Sequence, residues 1–539
     1  MKRFWITLML SSSLTSGAAV AQSVDVGQLD AASAYDAPIV RGDGGLDAAL
    51  WQGTSAKMAA SLISKAPLSD PNALVQDLVK AAIFSGGVPP EGSAEDVLAY
   101  KAARLTAATA LGQDASVAKF VKNDIDIAAD PRVNADIALA AGNTKEACHI
   151  TDGVTEGRGK PKWARLRAFC HVVRDESAAA ELTAELLKSS GYEDPLYFEL
   201  MDVMTGRKKT AKITEMGDDP LYAAMAGKAN VKFAVRATPP SLSASVALNP
   251  DVPAAERLDA LYNAASVLSD AQIAEILTAL GTADAADGEP ESYDLDRAMK
   301  APAAIGTAQL YALMKSASQE ATKATAASAF LRRADTAGAF TRFAAFLTPD
   351  ISQLSGRAQV GADPIIFARA GVDRGDIGSL QGLYQAMAEQ PALQARIALA
   401  TDALGDGFIL GPLGQDIESR MAKLSSRPRA ARDAIIALAM GALISETAAD
   451  AIETVGSGAG RAVKTGPRLT LGAVAKEGSR AETALRAAIL LQDGGAAALD
   501  NDALYSVIAA LNAADLSDFA GRAAAEDFLD IEPDMELRR

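Results

Sequence analysis

Histidine and cysteine are nearly absent from this chain: two of each in 539 residues, His149, His171, Cys148 and Cys170. A serine or cysteine nucleophile paired with histidine would have to use one of those two imidazoles. No Gly-x-Ser-x-Gly stretch exists to present a serine on a strained strand-to-helix turn. Aromatic residues are only 5% of the chain, so its core cannot be built mainly from large rings. No apolar run reaches membrane-spanning length; the longest candidate, 434–444, fits a buried helix. Positive charge is also short. The formal net charge of −16 disfavours nucleic acid and anionic membrane surfaces as partners.

Alanine and leucine supply most of the 49% hydrophobic content, and both are strong helix formers. Period-two runs of Val, Ile, Thr and Tyr are nearly missing, so the sequence predicts an all-α protein. Residues 1–21 have the form of a secretory signal. Lys2 and Arg3 precede a short apolar stretch, Phe4 to Leu14, and Ala19-Val20-Ala21 is an A-x-A cleavage site. Cleavage after Ala21 removes two positive charges and leaves −18. The expected destination is the periplasm of a bacterium. Residues 22–45, rich in Asp, Ala and Gly and ending in Gly42-Asp43-Gly44-Gly45, are expected to form a flexible arm.

Between about Glu95 and Met216 four short turns recur: Gly112-Gln113-Asp114, Gly142-Asn143-Thr144, Asp175-Glu176-Ser177 and Gly206-Arg207-Lys208. Their first residues stand 30, 33 and 31 positions apart, the period of a helix–turn–helix repeat. Ala147, Ala180 and Ala211 each follow a turn start by five positions. Leu166, Phe169, Cys170 and Val173 make one apolar helix face, which Leu182 and Leu186 are expected to continue on the partner helix. This stretch resembles tetratricopeptide-like α-solenoids. The segments LDAALWQGTS (Leu46 to Ser55) and RLRAFCHVV (Arg165 to Val173) are similar to exported bacterial helical-repeat proteins of unassigned activity, some catalogued under an antifreeze-glycopeptide label.

The predicted organisation is a helical-repeat region over 46–237, a middle helical region over 254–348, an irregular Gly/Asp/Pro-rich linker over 349–377 and a C-terminal helical region over 378–539. Asp70-Pro71 reads as N-cap and first residue of a helix reaching Phe84, and Asp270 as the N-cap of a helix ending near Gly281. The segment 428–444, apolar nearly all round, is expected at the centre of the C-terminal part.

Two cysteines in an exported protein favour a disulfide, Cys148–Cys170, closing a loop worth about 3 kcal/mol in the chain-entropy model. Because each cysteine precedes a histidine, a Cys₂His₂ metal site is the competing pattern. Neighbouring helical residues diverge by about 100°, so neither Cys-His pair suits one ion, and no metal or other cofactor is expected. Gly456-Ser457-Gly458-Ala459-Gly460 follows a helix rather than a strand and lacks the Gly-Lys-Thr of a phosphate loop, so it reads as a linker. The acidic run Asp284, Asp287, Glu289, Glu291, Asp294, Asp296 lacks calcium-loop spacing. Gly382-Leu383-Tyr384-Gln385 is similar to a lytic-transglycosylase stretch, but no Glu-Ser stands a short interval before it.

Two basic clusters contrast with the acidic average: Arg158, Lys160, Lys162, Arg165, Arg167 and Arg174, then Arg207, Lys208, Lys209 and Lys212. They are the candidate surface for an anionic partner. The expectation is a non-enzymatic scaffold or interaction protein of the cell envelope, binding a protein or envelope polymer through its repeat surface. The alternative is an envelope enzyme or glycan-processing accessory using carboxylates, which a cleft gathering two carboxylates would favour.

Overall fold

The computed structural model describes residues 45–68, 70–111, 131–140, 144–211, 219–229, 240–248, 252–282, 294–405, 417, 419–421, 426–456 and 458–530. The turn at 112, Gly142 and Asn143, Lys212 and acidic positions 283–293 lie outside them, as do the signal segment and most of the arm. Among the described residues the regular structure is helical, without a strand; β-type pairing is limited to the isolated bridges Ser55–Glu91 and Arg461–Leu499.

Local chemistry explains where the helices begin. The side chains of Ser55, Asn72, Asp194, Asp363, Asp376, Ser445 and Asp500 each accept from the backbone N–H three residues on. That bond satisfies one donor the helix leaves open. Pro161, Pro195, Pro364 and Pro391 stand in first-turn positions, where the missing N–H costs nothing. The second helix starts later than the sequence suggested. Asn72 caps Ala73–Phe84, while Asp70 accepts from the Asn72 N–H at 2.8 Å. Ser269 and Gln272 form a reciprocal capping box at the start of Asp270–Thr282, which frees Asp270 to meet Arg342 at 2.6 Å.

Residues 349–377 differ from expectation. They carry the helices Thr348–Ile351, Gly356–Ala362 and Pro364–Asp373. Within this segment Asp363 is a cap and Pro364 a first-turn proline. Gly356 is small because a Cβ there would come within 2.6 Å of the Gly382 carbonyl oxygen, so two helices touch through backbone.

Two hydrophobic cores form. The smaller one spans Ala135 to Ala226, and the larger combines Leu46–Leu111 with Ala247–Leu529. The described chain therefore passes from the larger core into the smaller one and returns. In the smaller core Pro131–Ala140 pairs with Thr144–Gly153, Pro161–Val173 with Ser177–Ser189, and Pro195–Met204 with Pro220–Ala229. The turns at Asp175 and Gly206 are present, both with positive φ. Cys148 and Cys170 are joined across the first two pairs, with Cα atoms 5.5 Å apart. Leu182 and Leu186 do not continue the buried face; they are 63% and 62% exposed, and Ala180 and Leu187 turn inward instead.

The first and last helices share one core. Helix Ala73–Phe84 packs on Arg480–Leu491 and Ser517–Leu529. Thr54 binds Ser479 at 2.6 Å and Glu482 at 2.7 Å, and the Ala481 N–H donates to the Leu50 carbonyl at 2.8 Å. The predicted central helix is Arg427–Ala439. Its buried face carries Arg432 and Asp433 beside Ile436, whereas Leu443, beyond the Gly441 turn, is 94% exposed.

Candidate functional site

The seam between the first and last segments holds a cleft of about 490 Å³. Its walls come from Asp70–Ala73, the Gly338 turn, helix Pro364–Asp373, the Gly494–Ala497 loop and the end of helix Ser517–Leu529. Capping fixes one wall: Asp70 is held by the N–H groups of Asn72, at 2.8 Å, and Asp493, at 3.0 Å. The Asn72 side-chain amide then donates to Glu526 Oε1 at 2.5 Å. Gly495 makes room for that bond, because a Cβ there would overlap both groups. Opposite, the Thr341 hydroxyl donates to Asp373 Oδ2 at 2.9 Å. Arg369 grips Asp335 through two bonds of 2.9 Å and lies 4.6 Å from the Phe340 ring centroid.

Burial and charge act together on the two carboxyls. Burial, then the negative charge of Asp373, pushes Glu526 up to about 8, against the pull of Asn72 and Arg369. At neutral pH Glu526 is thus mainly a protonated acid that can donate a hydrogen bond. Asp373 is also raised by burial, with Thr341, Arg522 and Arg369 opposing and Asp77 adding to the rise. Arg522 is committed to Asp77 at 2.8 Å. The cleft can therefore offer a proton donor and a carboxylate to one ligand. Among the described residues no three His, Cys, Asp or Glu side chains converge at metal-holding distance.

None of the site residues expected from sequence, the two cysteines and the basic clusters, lines this cleft; Asp70 and Pro71, read from sequence only as a helix start, do. The basic clusters lie in the smaller unit and are largely answered by carboxylates. Lys162 pairs with Asp136 and Arg174 with Asp152. Arg207 meets Glu181 at 3.2 Å and Glu185 at 3.1 Å, and Lys208 meets Asp202 at 3.6 Å. Arg167 turns to the Arg158 carbonyl. Lys160 and Lys209 are exposed. Arg165, expected toward solvent, is a correction: its side chain is only 12% exposed. It meets Asp219 at 2.8 Å and Asp194 at 3.6 Å, and donates to the Tyr222 hydroxyl at 3.1 Å. Tyr192 and Tyr222 both donate to Asp194, and burial followed by that bond pushes Tyr192 up to about 12. This cluster fastens helices together rather than offering charge.

The other sequence candidates resolve similarly. The cysteines are spent in the disulfide, and His171 Nδ1 lies 2.6 Å from Glu176 Oε2. The glycine-rich segment packs against its own chain: a Cβ at Gly460 would come within 2.6 Å of the Leu499 carbonyl oxygen, and the Arg461 N–H donates to the Ala498 carbonyl at 2.7 Å. Asp294 caps Leu295–Lys300. Leu383 is buried within Ile377–Ala386.

A second polar cluster is enclosed. Asp433, with a fully buried side chain, faces Arg396 at 2.5 Å, Arg420 at 2.8 Å and Arg429 at 3.2 Å. Asp527 receives Arg429 at 2.9 Å and Arg432 at 2.7 Å. Burial pulls Arg396 down to about 10. The three arginines overcome burial and hold Asp433 below its ordinary value. Comparison with protein-family models, with curated proteins and with solved structures finds no match for this chain.

Proposed function

We propose that this chain is an exported, non-enzymatic binding protein of the cell envelope that holds a small polar ligand in the cleft between its first and last segments. The observation that carries this reading is the cavity itself, of ligand-binding size and with convergent polar groups on an otherwise alanine-rich body. Export is supported by the n-region, apolar stretch and Ala19-Val20-Ala21 of the leader, and by a disulfide suited to an oxidising compartment. The hairpins over 144–204 are read as tetratricopeptide-like repeats beside the ligand-holding body. Their surface is the candidate site for a protein or envelope-polymer partner. Its basic residues contribute less to the reading, because their carboxylate neighbours offset much of their field.

The test uses the low-molecular-weight fraction of an envelope extract and the mature chain, residues 22–539. That fraction is expected to raise the thermal unfolding midpoint of the wild type, as any ligand selective for the native state must. Ala497→Phe, which fills the cleft, should lose the shift. An equal shift in both proteins, or none in either, overturns the reading.

A second reading, an envelope enzyme with carboxylate chemistry, is favoured by Glu526 and Asp373 sharing one cleft with Glu526 raised to about 8. Turnover of envelope glycan by the wild type, lost in Glu526→Gln, would establish it in place of the first.

A further inference from the structure

The charge of the cleft is one-sided. Its arginine, Arg369, is already bound to Asp335 and stacked against Phe340. Asp70, Asp373, Glu526 and Asp530 line the same space, and among the described residues no second arginine or lysine lines it. Glu526 and Asp373 are held in a common way. A neutral donor anchors one oxygen of each, Asn72 on Oε1 and Thr341 on Oδ2. Among the described residues the other oxygen of each carboxyl receives no hydrogen bond. The cleft thus presents two pre-oriented carboxyl oxygens, that of Glu526 becoming an acceptor once its proton leaves, in a concave, partly apolar wall that includes Ile365, Val372 and Leu529.

We infer that the cleft takes an organic cation, an amine with an alkyl stem, whose ammonium N–H groups bind the open oxygens of Glu526 and Asp373. This rests on the cleft being the ligand site. A bare metal ion fits less well. It needs several oxygens within about 2.0–2.6 Å of one point, and no such convergence occurs among the described residues. An ammonium reaches acceptors about 2.7–3.0 Å away, and its stem covers the apolar wall. An anion would meet the cleft's carboxylates directly.

Proton release follows from the same contacts. Glu526 is protonated at neutral pH in the empty cleft, and a cation seated beside it restores the preference for the carboxylate. The charged groups around Glu526 come from every neighbouring wall. Asp70 approaches from the first segment, Asp373 and Arg369 from helix Pro364–Asp373, and Asp335 through its grip on Arg369. Arg522 and Asp527 stand on its own helix, each already engaged, with Asp77 and with Arg429 and Arg432. Binding should therefore tighten with rising pH, by about eightfold between pH 7 and 8.5 for one group titrating near 8.

The experiment is titration calorimetry of the mature chain with 1,4-diaminobutane, in two buffers of different ionisation enthalpy, at pH 7 and 8.5. Uncharged 1,4-butanediol and calcium chloride are the comparison probes. The expected result is diamine binding with close to one proton released at pH 7 and much less at pH 8.5, and no binding of diol or calcium. Glu526→Gln should abolish the release and the pH dependence, and Asp373→Asn should weaken binding at both pH values. Preferential binding of diol or calcium, diamine binding without proton release, or absence of diamine binding overturns the cation assignment. If Ala497→Phe still loses the extract-induced shift, the cleft survives as a ligand site for another chemistry; if it does not, the cleft reading falls as well.

Discussion

The side-chain amide of Asn72 donates to the carboxyl of Glu526 at 2.5 Å, across 454 positions of sequence. One partner caps the second helix of the larger core, and the other lies on the last described helix. The bond therefore ties the closure of the chain to the chemistry of the cleft.

That relationship gives stability a pH dependence. Glu526 titrates near 8 in the folded protein against about 4.3 in an unfolded chain, so the folded state holds the extra proton between those values. Its stabilising contribution is complete below the unfolded value and is lost as pH rises toward 8. Denaturant unfolding of residues 22–539 should show stability falling by up to about 1.4 kcal/mol per pH unit in that window from this group. Glu526→Gln should remove that component of the slope.

Asp433 is the negative centre for Arg396, Arg420 and Arg429. Asp433→Asn keeps the shape and removes the charge, leaving the buried Arg396 guanidinium without its carboxylate. The expected loss is about 3–5 kcal/mol, measured by chemical denaturation. A loss below 1 kcal/mol would show that the cluster is neutralised some other way.

The disulfide lies wholly in the smaller core. Reduction, or Cys148→Ser, should cost that unit about 3 kcal/mol. Hydrogen exchange should accelerate in 144–204 and change little in 480–529. Peptide mapping without reductant should recover Cys148 and Cys170 as one linked species.

Arg165 is an internal tie of the same unit. Arg165→Met should free Asp194 and Asp219 from their shared cation and destabilise the smaller core by about 3 kcal/mol. Lys208→Glu with Lys209→Glu, at exposed positions, should leave helical content unchanged by circular dichroism. A large loss in the double reversal and none at Arg165 would invert this assignment.

The helical class was legible in the sequence because alanine, leucine, caps and first-turn prolines act within a few residues of where they stand. The turns at Asp175 and Gly206 and the pairing of Cys148 with Cys170 were legible for the same reason, since short connections bring neighbouring helices together. Burial direction was less so: Leu182 and Leu186 have the spacing of a core stripe, yet among the described residues no helix covers them. The segment 349–377, expected to be irregular from its Gly, Asp and Pro content, is helical because those residues stand at helix ends: Asp363 is a cap and Pro364 opens the next helix.

Chain closure and the cleft were decided by tertiary structure alone. Asp70 and Asn72 share no spacing pattern with Thr341, Asp373 and Glu526, because they meet only when helices Ala73–Phe84 and Pro364–Asp373 both pack on Ser517–Leu529. The elevated proton affinity of Glu526 has the same origin. Sequence supplies a carboxyl group, whereas dehydration and the charge of Asp373 exist only after distant segments have met.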